Sequence, residues 1–177
     1  MSGDKTFFMI KSQKTIVRRV PKTHRIARIS VFSALCVIGS FIHLPSPIQT
    51  VAFDSAPGFF VALCFGAIDG FLVTGIGHVI TSIVNGFPLG ILHLPIALGM
   101  ALAGGTMGLV NGISCRWGFI LATICAIAIN TALFVLTVPT LGWAAAVTFA
   151  PLLLLASTMN GAIGTLAYVS VRGRLRI

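Results

Sequence analysis

The stretch GAIDGFLVTGIGHVITSIVNGFPLGILH, Gly66 to His93, decides how this chain folds. It begins around Asp69, the only acidic residue between two apolar runs, flanked by Gly66 and Gly70. From Gly70 to Asn85 the apolar run is interrupted at Thr74, His78, Thr81 or Ser82, and Asn85. At about 3.6 residues per turn these side chains share one helix face, roughly a turn apart. A polar stripe on an apolar helix is costly in lipid, so it must face protein, water or a ligand. Gly86 to Gly90, Gly-Phe-Pro-Leu-Gly, then makes a turn, and His93 follows it.

Outward from that stretch, composition sets the class. The 177 residues are 56% hydrophobic and only 8% charged, with a mean hydropathy of +1.03. Soluble domains carry about 25% charged residues, so this is a membrane chain. Its net charge of +9 belongs to the ends: eight of the twelve basic residues lie between Lys5 and Arg28, and Arg172, Arg174 and Arg176 close the chain. Between Ile29 and Val171 only Asp54, Asp69 and Arg116 are formally charged. Basic ends on an apolar body describe a membrane domain and exclude a nucleic-acid partner. Residues 1–23 read as a basic cytoplasmic leader and 24–177 as the membrane domain. The leader has no short apolar run with a small-residue cleavage site, so no signal peptide is expected. Cys36, Cys64, Cys115 and Cys125 show no CxxC spacing and read as small buried hydrophobes.

Six apolar segments follow the leader: about Ile26–His43, Ala52–Ile68, Gly70–Asn85, Ile91–Val110, Trp117–Leu136 and Pro151–Val171. The predicted fold is an all-α membrane protein with six transmembrane helices and both termini cytoplasmic. Six crossings place Lys5 to Arg28, Arg116 and the terminal arginines on one side, as the positive-inside rule requires. The outer connections are then Leu44–Thr50, Gly86–Gly90 and Thr137–Thr148. The second and third segments are short against the ~20 residues a spanning helix needs. They read either as two helices packed on neighbours or as one long kinked element. Small residues four apart mark close helix contacts: Gly104, Gly108 and Gly112, then Ala122 and Ala126, and on segment one Ala27, Ser30 and Ala34.

With this orientation the uncharged polar groups gather in the outer half. His78, Thr81, Ser82, Asn85, His93, Asn130 and Asn160 converge there, with Asp54 near the outer end of the second segment. The expectation is an outward-opening pocket for a small solute with several donors and acceptors. Asp54 has a second reading, as the cap of a helix starting near Pro57. No GxxxxGK[ST] motif is present, and three acids cannot build a two-metal site, so an enzyme is not expected. Neither cofactor nor metal is expected. The rival function is a small homo-oligomeric channel or assembly protein. A channel, however, needs polar groups along the whole length of a helix.

The six-helix hydrophobic chain with basic ends resembles the S components, the substrate-binding subunits, of energy-coupling factor (ECF) vitamin transporters. FGAIDGFLVTGIGHVITSIVNGFPL, Phe65 to Leu89, is similar to their second-to-third helix region. The resemblance implies a subunit of the bacterial cytoplasmic membrane that binds a vitamin or precursor from outside. It also implies docking on a membrane T component with two ATPases. The family's docking signature is a pair of alanines four apart on helix one. Ser30 and Ala34 take that spacing here, with Ala27 one turn earlier, and Ser30 departs from the pattern. A His close behind Met1, the mark of the cobalt and nickel branch, is absent. PSPIQTVAFDSAPGFF, Pro45 to Phe60, with Gly77 to His93, looks most like the members assigned to α-ribazole, a nucleoside precursor. That likeness implies stacking on Phe53, Phe59, Phe60 or Phe87 and ribose contacts from Asp54, His78 and Asn85. Riboflavin, thiamin and pantothenate are the alternative solutes.

Overall fold

The computed structural model describes residues 21–42, 52–113 and 117–174. Among these residues it contains helices and no strand: α1 (Lys22–Ser40), α2 (Ala56–Phe65), α3 (Ala67–Val84), α4 (His93–Ile113), α5 (Gly118–Ala132) and α6 (Val138–Val171). Short 3-10 turns, Gly90–Leu92 and Leu133–Thr137, precede α4 and α6. Among the described residues three helical runs are long and apolar enough to cross a membrane: 67–84, 90–113 and 118–171. Most of residues 1–23 lie outside the described residues, as do Cys115, Arg116, Leu44–Thr50 and Arg176.

Gly66 resolves the choice between one kinked element and two helices. Its φ of 92° is open to a residue without Cβ, and it breaks the chain between α2 and α3. The two helices then fold back on each other, with Gly58 against Thr74 and Gly70 against Ala62. Ten residues of α2 reach only ~15 Å, so this hairpin is half a crossing on one arm. α4 returns antiparallel to α3. Gly104 lies against Thr74 and the Gly70 carbonyl, and Gly108 against Ala67; a Cβ at either would overlap α3. Gly112, read in the same row, meets nothing within 4 Å. Opposite this seam Leu94, Leu98, Leu102 and Leu109 are exposed, as a lipid-facing stripe should be.

α1 runs parallel to α3, with Arg25 and Arg28 meeting Asp69 and Cys36 meeting Gly77 further along. α5 and α6 are antiparallel, joined by Thr123 and Thr165 at 2.7 Å. The helices thus alternate in direction through the bundle. One end gathers Lys22, Arg25, Arg28, Arg172 and Arg174, and the other gathers Asp54, His78, His93 and Asn130. Phe59, Met107, Phe119, Ala122 and Ala126 belong to the main apolar core.

The sixth segment differs from its expected limits. Residues 137–148, read as an outer connection, are helical from Val138 onward, interrupted at Gly142 (φ 76°). Pro151 stands inside α6 rather than at its start. A proline in an apolar helix loses one backbone bond, which neighbouring groups in a packed bundle can tolerate. The helix therefore carries Phe149 and Leu153 over the polar end.

Candidate functional site

At the polar end a cavity of about 50 Å³ lies among the start of α2, α3, α4, α5 and α6. Asp54, His78, His93, Asn130 and Asn160 line it, with Ile96, Met100, Leu133, Phe149 and Leu153 as apolar wall. A second recess of about 10 Å³ shares Asp54, His78 and His93 and adds Thr81, Ser82 and Asn85. The larger one has room for water, not for a vitamin, which needs ~300 Å³ or more. A solute of that size requires the walls to move apart. Gly142 and Pro151 flank the α6 segment that carries Phe149 and are the natural places to bend.

The ionisable groups form a directional chain. The Leu89 N–H donates to His93 Nε2 (3.3 Å), so that nitrogen is the acceptor and Nδ1 carries the proton. Nδ1–H reaches Ser82 Oγ at 3.0 Å and His78 Nε2 at 3.3 Å. His78 Nε2 is therefore an acceptor too, which puts the proton of a neutral His78 on Nδ1, 3.6 Å from Asp54 Oδ2. The Ser55 hydroxyl donates to Asp54 Oδ1 (3.0 Å). Thr81 lies 3.4 Å from Asp54 Oδ2, but its single hydroxyl proton has a shorter acceptor, the His78 carbonyl at 2.9 Å. The turn above is built to hold this chain. Gly86 and Gly90 have φ of 75° and 56°, and Phe87, at φ 50°, lies edge-on to His93 with ring centroids 5.7 Å apart. A phenylalanine in that region is strained by roughly 1–3 kcal/mol.

The two asparagines have opposite circumstances. Asn160 is 2% exposed and fully bonded: its oxygen accepts the Ser55 and Ala56 N–H groups (3.2 and 2.9 Å), and its amide donates to the Ala52 and Ala156 carbonyls (2.9 and 3.0 Å). It caps α2 from across the bundle, where Asp54 makes no such bond to the helix start. Asn130 is 7% exposed, lines the cavity and has no hydrogen-bond partner among the described residues. Asn160→Ala is thus expected to lower stability by about 2 kcal/mol by orphaning two N–H groups. Asn130→Ala should leave the melting temperature nearly unchanged and weaken solute binding several-fold. Thermal unfolding and titration of both purified variants check this.

Of the other residues singled out in the sequence, Phe59 is fully buried in the core, away from the cavity. Phe87 lies over His93, and Phe53 and Phe60 face a lateral apolar groove between α1, α2 and α6. Thr74 donates to the Gly70 carbonyl (2.7 Å) and packs against α2 and α4, so the polar stripe reaches the site only from His78 onward. Met100, Leu133, Thr137, Phe149 and Leu153 were not legible as wall residues. Thr137 and Phe149 sit in or beside the stretch read as a connection, and nothing in the sequence marks Met100. Among the described residues no three metal-ligating side chains converge. On α1, Ala27, Ser30 and Ala34 are all exposed, and Ser30 and Ala34 edge a groove shared with Ile76 and Ile80 of α3.

An apolar all-helical chain with a small polar cavity at one end is a membrane binding protein in form. The family model for the ECF transporter substrate-specific component matches residues 24–172, and the chain belongs to that family. It is accordingly the substrate-binding subunit of an ECF transporter, an integral membrane protein of a transport-binding family rather than an enzyme family. Membership implies a T component and ATPase subunits as partners in the bilayer. Comparisons with curated proteins and with solved structures returned no match.

Proposed function

We propose that this subunit crosses the bacterial cytoplasmic membrane six times with both termini inside. In this reading it captures a vitamin-class solute from outside at the Asp54–His78–Asn130 cavity. The observation that carries the reading is polarity along the bundle: basic residues at one end, the cavity at the other. Positive-inside asymmetry turns the cavity outward. The solute we favour is α-ribazole, for cobamide salvage. Its base is flat and apolar and suits the apolar wall of Ile96, Met100, Leu133 and the Phe149 ring, and its ribose hydroxyls suit the Asp54 carboxylate. Delivery then follows docking on the T component with two ATPases.

Isothermal titration of the purified protein with α-ribazole, riboflavin, thiamin and pantothenate tests the proposal. Saturable binding of α-ribazole, weakened about tenfold by His78→Ala, is expected, because the variant removes the side chain that faces Asp54 Oδ2 and leaves that carboxylate less firmly placed for the solute; tenfold corresponds to ~1.4 kcal/mol. Tight binding of another vitamin with α-ribazole silent would refute the substrate.

A further inference from the structure

We infer that the cavity selects against anions: its solute is uncharged or cationic, and is read by the Asp54 carboxylate, which keeps acceptor positions open, and by the Asn130 amide, which has no partner among the described residues. The inference rests on the cavity being the solute site. Among the described residues, every other polar group in the wall has a partner within the protein. Asn160 has all four of its hydrogen-bonding positions filled by backbone. The Thr137 hydroxyl donates to the Phe134 carbonyl (2.6 Å), and the Ser55 hydroxyl to Asp54. Both His93 nitrogens are engaged, one by Leu89 and one by Ser82 and His78. His78 has one nitrogen on His93 and the other facing Asp54.

What remains, among the described residues, is a carboxylate with one firm donor and an amide with none. The first can only accept, and the second can give and take. Among the described residues no Lys or Arg lines the cavity. Arg25 and Arg28 are committed to Asp69, beside the starts of α1 and α3, whereas the cavity takes its α3 wall from His78. A carboxylate or phosphate entering here would meet Asp54 in a low-dielectric site with no cation to offset it. Like charges so placed disfavour binding strongly. A cation would have to come from His78 or His93, and protonating His93 takes away the acceptor that holds the Leu89 N–H. Neutral hydroxyl or N–H donors meet Asp54 without that conflict, and a donor–acceptor edge meets Asn130.

The test compares matched solutes on the purified protein at pH 7.5: α-ribazole against its 5′-monophosphate, and thiamin against pantothenate. Within a pair that binds, the uncharged or cationic member should bind at least about a hundredfold more tightly than the anion. Asp54→Asn should narrow that gap by about tenfold or more, with circular dichroism and gel filtration unchanged. Asn130→Asp, adding a second carboxylate, should widen it. An anion bound within tenfold of its partner by the wild-type protein would overturn the charge rule and leave the solute site standing. A gap unaltered in Asp54→Asn would overturn the role of Asp54. No binding of any of the four by folded protein would overturn the cavity as solute site and the charge rule with it.

Discussion

Asp69→Asn should lower the stability of the folded bundle by about 3 kcal/mol, the lower end of what removing one partner of a buried ion pair costs. Asp69 is 3% exposed and bridges two cations: Arg25 Nε donates to Oδ1 at 2.5 Å, and Arg28 donates to Oδ2. The arginines fare differently when the carboxylate goes. Arg25 is 37% exposed in its side chain and can turn to water or lipid headgroups, whereas Arg28 is 17% exposed and lies over the Phe65 ring at 3.9 Å. Arg28 is thus the charge left stranded. The Asp69→Asn, Arg28→Met double variant should therefore recover part of the loss, since it removes the stranded charge as well. Unfolding in mixed micelles, followed by circular dichroism, gives both numbers. A single variant as stable as wild type would show that the cluster does not tie α1 to α3.

That cluster shows where sequence reading stops. Asp69 stands out as a lone acid in an apolar run, but its partners depend on α1 lying parallel to α3 in one register. That register shows in Cys36 packed against Gly77, while the aromatic pair Phe32 and Phe60 ties α1 to α2 beside it; the pattern of residues announces neither contact. The all-helical, apolar class was legible because hydropathy over a helix's length is a sum, and single exceptions do not change it. Boundaries were not. Pro151 looked like a helix start because proline is tolerated best there, yet a packed membrane helix accommodates it in mid-span.

The site was legible by residue type and illegible by role. Asn130 and Asn160 looked equivalent: one amide each, on apolar helices, in the same half of the bundle. What separates them is the start of α2, whose two free N–H groups lie against Asn160 and not against Asn130. Capping from another helix leaves no local motif. His78 and His93, fifteen residues apart, were each visible; their contact follows from the turn at Gly86–Gly90, whose positive φ angles bring α4 back over α3.

Ala34→Leu is expected to abolish uptake while leaving solute binding within about twofold of wild type. Ala34 is exposed on α1 at the edge of the open groove facing Ile76 and Ile80, so among the described residues a larger side chain there has room and should not unfold the bundle. No α1 residue lines the larger cavity; only Ser40, at the far end of the helix, borders the smaller recess. Binding and docking are therefore separable by position. Ala27, Ser30 and Ala34 form a flat exposed row, and small residues at helical spacing let another helix approach closely in lipid, where packing rather than the hydrophobic effect drives association. A leucine at the centre of such a contact holds the helices apart, and the dispersion lost across the seam is large in sum. We propose that the partner served by this row is the T component that family membership implies. Leu98→Phe, which adds bulk to an exposed lipid-facing position on α4, is the matched control and should transport normally. Whole-cell uptake of the radiolabelled solute, alongside titration of the purified variants, makes the comparison. Normal uptake by Ala34→Leu would remove α1 as the docking face. Loss of uptake and binding together would mean instead that the row supports the fold of the binding site.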